Sequence, residues 1–169
     1  MKSSFLLVGL LTLISIVSCK KDTTEAVKPN SEFSALKDNS EWISTSSWAS
    51  YSVKNKTFTI AGSKEDAVTF QAEILHFIFK EDDITKSDNN IIDVHAAWNL
   101  VVGGDLIIDT YVVDSSYTNS VTITSLDTTS KQISGTFLVK LTRDKHFSDS
   151  SETMLYKQGF FDLKYEEID

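Results

Sequence analysis

AVTFQAEILHFIF, residues 67–79, shows most directly how this chain folds. Val68, Phe70, Ala72, Ile74 and Ile78 fall on every second position, and Thr69, Gln71 and Glu73 begin the opposite face. A helix would bring apolar residues round at every third or fourth position, so a period of two is the signature of a strand. From Leu75 the second face becomes apolar as well, with Phe77 and Phe79, as expected where a strand passes into a region covered on both sides. His76 lies on the first, apolar face, where it is expected to be a buried or edge histidine.

The same alternation extends both ways from this segment. Val121 and Ile123 alternate with Thr122 and Thr124, and Ile133, Phe137, Val139 and Leu141 alternate with Ser134, Thr136, Lys140 and Thr142. Between them Asp127 to Ser130 are Asp, Thr and Ser, so the two strands are expected to form a hairpin. Further strands are expected at 41–46, 48–53, 57–61, 91–100, 106–113 and 159–165, with turns at 54–56, at Gly103 and Gly104, and across 80–90. Turns every eight to twelve residues suggest an all-β domain, an antiparallel sandwich or flattened barrel of about eight to ten strands. A short helix could form at 82–89 or 63–66, but neither carries an apolar stripe.

Upstream of the β region the pattern changes. Lys2 is the only charge before an apolar run from Phe5 to Val17, too short to span a bilayer comfortably, and the run ends in LISIVSC at 13–19. A small residue before a cysteine serves a signal peptidase, and the cysteine thiolate can take up a diacylglyceryl group. LISIVSC resembles the lipobox of bacterial lipoproteins, which implies a cleaved signal at 1–18 and a lipid, palmitate included, on Cys19. Cys19 is the only cysteine, so no disulfide can form within the chain. Residues 20–31, KKDTTEAVKPNS, are polar and hold the only proline, Pro29; they read as a tether that spans at most ~40 Å when extended. Residues 32–169 are then expected to be one β domain.

The chain carries a net charge of −8, and removing 1–18 takes one cation and no acid, giving −9. That balance argues against nucleic acid, or an anionic membrane surface, as an electrostatic partner. The expected link to the membrane is the lipid on Cys19, in the cell envelope and by choice the outer membrane, with the face left open.

Four segments carry a family resemblance: FSALKDNSEW at 33–42, VTITSLD at 121–127, KQISGTF at 131–137 and QGFFDLKY at 158–165. Together they resemble a family of Bacteroidetes lipoproteins of unknown function, in which a lipobox and polar tether precede an F-x-A segment ending in Trp, an I-S-G-T-F motif and a G-x-F-D motif. The resemblance covers most of the chain after Cys19, although 65–116 matches only in rhythm. It implies an exported, anchored β domain with no assigned activity. Gly135 is expected to permit a bulge or close approach, Gly159 to sit where a bulkier residue would clash, and Phe137, Phe161 and Leu163 to face the core. Asn39-Ser40 stands where the family often has Asn-Gly, so the first hairpin is expected to be looser.

Candidate chemistry is sparse. Asp93 and His95 would point the same way on a strand and could pair as an orienting carboxylate and a base, but no G-x-S-x-G or H-E-x-x-H motif accompanies them. A polar pair is the expected role, and the protein is not expected to be an enzyme. Glu81, Asp82, Asp83, Asp88, Asn89 and Asn90 offer oxygens in one region without the spacing of a calcium loop, so no metal and no cofactor is expected. The remaining candidates are aromatic: Trp42, Trp48 and Trp98 could stack on a glycan from an exposed sheet face, although core use of such residues is the ordinary alternative. Three roles are weighed: a binding module for a glycan or envelope protein, an accessory subunit of an outer-membrane assembly, and an enzyme built on Asp93 and His95.

Overall fold

The structure, a computed structural model, describes residues 32–86, 90–91 and 95–169. The export segment, Cys19, the tether, Asp88, Asn89 and Asp93 lie outside the described residues. The elements run β1 Phe33–Lys37, β2 Ser40–Ile43, β3 Ser46–Ser52, β4 Thr57–Asp66, β5 Gln71–Lys80, α1 Glu81–Lys86, β6 Asn90–Ile91, β7 His95–Val102, β8 Leu106–Val113, β9 Ser120–Asp127, β10 Gln132–His146 and β11 Thr153–Ile168. The fold is all-β, as the alternation indicates, with one short helix. Among the described residues no helix is long and apolar enough to cross a membrane.

All the strands join one sheet in the order β2-β1-β11-β3-β4-β5-β7-β8-β10-β9-β6, and β10 also pairs with β11. That last pairing closes a ring through β3, β4, β5, β7, β8, β10 and β11, so the sheet is a barrel. Every ladder is antiparallel except β11 with β3, where Tyr165 to Ile168 run parallel to Ala49 to Ser52. β10 and β11, 15 and 16 residues long, form the spine. Along one edge of β10, β9 is followed by β8; along one edge of β11, β1 is followed by β3. Bulges let these long strands bend, the clearest at Gln158, whose φ is +52° and where the ladders of β11 with β1 and with β10 each slip by one residue.

The interior is packed with aromatic rings. Phe33 lies 5.3 Å from Phe137, 5.9 Å from Trp42 and 6.1 Å from Phe77, ring centre to ring centre. Phe137, Phe161 and Leu163 are buried, as expected from their faces. A Cβ on Gly135 would lie 2.5 Å from the Thr122 carbonyl oxygen, which accounts for glycine there.

Residues 67–70 depart from the sequence expectation. They are not strand but the loop of the β4–β5 hairpin, because the Asp66 carboxylate accepts the N–H groups of Val68 at 2.8 Å and Thr69 at 3.3 Å and turns the chain. Phe70 then takes a left-handed φ of +54°. The β9–β10 hairpin closes the same way: Asp127 accepts Thr129 and Ser130 N–H, Lys131 has φ +56°, and Gln132 pairs with Asp127. In the β3–β4 hairpin Ser52 and Lys56 take the corresponding places. The first hairpin is also tighter than expected. Lys37 pairs with Ser40 across a two-residue loop, Asp38-Asn39, both at positive φ, and Asp38 exchanges two 2.9 Å hydrogen bonds with Leu155.

Residues 38–39, 67–70, 103–105 and 147–152 all cluster at one end of the barrel, called the upper end below. At the other end α1 follows β5; its Ile84 is buried, and Glu81 accepts the Tyr51 hydroxyl at 2.7 Å.

Candidate functional site

Of the three tryptophans singled out from sequence, two belong to the core. Trp42 and Trp98 are 1% and 2% exposed, whereas Trp48 is 44% exposed on the outer face. The reason lies at Ser44 and Thr45, whose N–H groups go to the Phe33 and Ser63 carbonyls as the chain leaves β1 for β4. This break between β2 and β3 removes the parity that an unbroken strand would have given Trp42 and Trp48. Trp42 and Trp98 are therefore withdrawn as ligand contacts, and Trp48 alone remains.

The two buried indoles meet a polar cluster inside the barrel. Glu73 accepts Trp42 Nε1–H at 3.0 Å and Lys37 Nζ at 2.6 Å, and the Lys37 ammonium lies 4.7 Å over the Trp98 ring. Trp98 stands edge-on to Tyr111 at 5.1 Å, and Trp42 to Tyr156 at 5.7 Å. Trp98 Nε1 and the Tyr156 hydroxyl are buried beside each other, and neither makes a hydrogen bond of good geometry. Burial, reinforced by the carboxylates of Glu73 and Asp38, pushes the Tyr156 phenol well above its ordinary range.

The outer surface carries an open groove. Between β3, β4, β5 and β7 a groove of about 700 Å³ is framed by Trp48, Phe70, Ile74 and Val101, with Ser63 and Gln71 among its polar edges. It continues into the upper loops, where Gly103 N–H donates to the Phe70 carbonyl at 3.0 Å and ties the β7–β8 loop to the β4–β5 loop. Val68, Phe70, Leu106, Ile107 and Phe147 are each more than half exposed at this end, whereas the opposite end has Val53 and Ile168 at 52% and 48%. Sequence reasoning missed this surface because it placed Val68 and Phe70 in a strand. The signal that could have found it is the shared spacing of Asp66-x-x-x-Phe70-Gln71 and Asp127-x-x-x-Lys131-Gln132.

A buried polar clamp holds Phe147 in place. Asp109, fully buried, accepts the Phe147 N–H at 3.0 Å and the Ser148 hydroxyl. Burial alone would raise its carboxyl, but hydrogen bonds from Ser148, Phe147 and Ser150 and the charge of Arg143 leave it below the usual value. Arg143 donates to the Tyr111 hydroxyl at 3.2 Å and to the Ser150 carbonyl, and Tyr111 donates to the Ser151 carbonyl. These bonds pin residues 147–151 onto β8 and β10.

The histidines make no comparable arrangement. His76 and His95 line a shallow pocket of about 340 Å³ with Ile78, Val112 and Val113, a lining without carboxylate or hydroxyl. Burial lowers the His76 imidazole below its ordinary value. The proposed partner of His95, Asp93, lies outside the described residues. In the acidic run Asp83 accepts the Lys80 N–H at 3.3 Å, and among the described residues no group of three His, Cys, Asp or Glu converges as a metal site. No family model, curated protein or solved structure matches the chain.

Proposed function

We propose that this chain is an envelope lipoprotein, held at the outer membrane by a lipid on Cys19, whose barrel is a non-enzymatic binding domain. Its recognition surface is the groove at Trp48, Phe70, Ile74 and Val101 together with the apolar loops above it. The observation that carries this reading is the placement of apolar bulk. The core already takes the large aromatics, yet five more apolar side chains stand in solvent at one end, beside an open groove of about 700 Å³. Exposed patches of this kind mark ligand or partner surfaces. The same patch would serve an accessory subunit of an outer-membrane assembly, with a protein partner as its ligand. The motif resemblance to Bacteroidetes lipoproteins supports the anchored half of the reading.

Photo-crosslinking in intact cells tests the binding half. A benzophenone amino acid at position 70 or 74 is expected to give position-dependent adducts, while one at Ser125, on exposed β9, gives none. Equal labelling from all three positions, or none from the groove, would contradict the reading.

A further inference from the structure

The apolar upper end carries an inference about its occupant, which rests on the anchored reading above: we infer that the exposed side chains of Val68, Phe70, Leu106, Ile107 and Phe147 dock onto a lipid surface, so that the barrel lies against the bilayer by its upper end.

Three observations converge. Val68, Phe70 and Phe147 stand on two loops and Leu106 and Ile107 open β8, and each segment is tied down: the β4–β5 loop by Asp66, the start of β8 by its pairing with β7 and by the Gly103 bond to Phe70, and the β10–β11 loop through Asp109. Rigid apolar tips lose little freedom on entering an interface. Second, Phe70 occupies the left-handed loop position that Lys56 and Lys131 hold in the two matching hairpins at the other end of the barrel. The backbone demands nothing aromatic there, and the two ends differ in side chain rather than in loop geometry.

Third, the expected anchor holds the barrel within reach of the bilayer. Glu32, the first described residue, accepts a hydrogen bond from the Ser47 hydroxyl at 3.1 Å, near the start of β3. From Cys19 to Glu32 the backbone spans at most ~43 Å when extended. A lipid on Cys19 therefore keeps the barrel within that distance of the bilayer, at a high effective concentration. A lipid and an apolar surface together give the two signals that stable anchoring uses.

Charge narrows the lipid class. Asp105 and Asp149 on the upper loops, with Asp66 at the base of the β4–β5 loop, are acidic, while Glu152 is paired with Arg143 at 3.4 Å. The Asp66 carboxyl is held low by the Val68 N–H, then by Thr69, so it stays ionised beside the tip. The surface is therefore zwitterionic lipid, and adding anionic lipid should weaken docking.

The test places a reporter at each end of the full-length protein. Phe70→Trp sits at the upper tip and Val53→Trp at the opposite end; both positions are exposed, so both variants should keep the parent's unfolding midpoint. The lipidated proteins are reconstituted into phosphatidylcholine vesicles whose acyl chains carry bromine, which quenches only tryptophans close to the hydrocarbon. The added emission of Phe70→Trp should be quenched at least twofold more than that of Val53→Trp. Replacing the phosphatidylcholine partly with phosphatidylglycerol should reduce the difference. In a Cys19→Ser background, Phe70→Ser with Leu106→Ser should lower vesicle partition by roughly tenfold. Equal quenching at both ends, or no quenching at position 70, would overturn the inference, as would a position-70 reporter that responds only to an envelope protein. The mass of Cys19 in the same preparation reports the anchor separately: lipid present with an unquenched tip removes the docking inference alone, whereas lipid absent removes the anchored reading.

Discussion

Gly159→Ala is the sharpest probe of the packing. In the structure a Cβ at 159 would lie 2.3 Å from both Cδ2 and Cε2 of Phe137 and 2.5 Å from Cγ, so the ring covers the glycine face-on from the paired strand. Gly159 has no positive φ, and the three nearest atoms all belong to one side chain. Phe137 cannot swing aside cheaply, because it is buried and its ring centre lies 4.8 Å from that of Phe77 and 5.3 Å from that of Phe33. Overpacking of this kind costs about 1–3 kcal/mol. Phe137→Ala alone should cost about 3–5 kcal/mol through lost burial and a cavity. In the double variant the new methyl enters the space the ring vacated, so the combined loss should fall short of the sum by about 1–2 kcal/mol. Urea unfolding measures each value, and a loss of about 2 kcal/mol would move the midpoint by about 1 M at an unchanged slope near 2 kcal/mol/M. A Gly159→Ala midpoint within about 0.2 M of the parent, or strictly additive losses, would refute the reasoning.

Tyr156→Phe should leave stability unchanged or raise it by up to about 1 kcal/mol, since the buried hydroxyl makes no hydrogen bond of good geometry with its polar neighbour, Trp98 Nε1; a loss above about 1 kcal/mol in urea unfolding would show that the two are paired. Asn39→Gly, at φ +70°, should stabilise the first hairpin by up to about 1 kcal/mol, whereas Asp38→Gly should destabilise it by losing the Leu155 bond. Asp114 has its carboxyl lowered to about 2 by the Ser116 hydroxyl, then by Lys140 and the Ser116 N–H. A depressed acid contributes stability above its unfolded value that is lost as pH falls, here between about 4 and 2. Asp114→Asn should flatten that acid limb in pH-dependent melting, and an unchanged limb would contradict the assignment.

The parts of the fold legible in the sequence are those where one face alternates cleanly. Residues 106–113 coincide with β8, and the hairpin at Asp127 to Ser130 forms where its turn residues indicate. Barrel closure was not legible, because it depends on the pairing of β10 with β11 and the parallel contact of β11 with β3, and alternation carries no information about partners. The 67–70 loop was misread because its apolar residues continue the alternation by accident, while the cause of the turn is the single carboxylate of Asp66. The tryptophans failed for a related reason: parity holds only within a strand, and the break at Ser44 and Thr45 resets it. The upper-end surface therefore emerged from the structure, and Trp48 is the one residue of it that sequence reasoning had singled out.

The account as a whole rests on the anchor, and the mass of the amino-terminal peptide from membrane-extracted protein tests it most directly. The predicted result is a chain that begins at Cys19 and carries a diacylglyceryl group with an amide-linked acyl chain; a Cys19→Ala variant should lack the lipid and leave the membrane fraction. An unmodified Cys19, or cleavage at another residue, would contradict it.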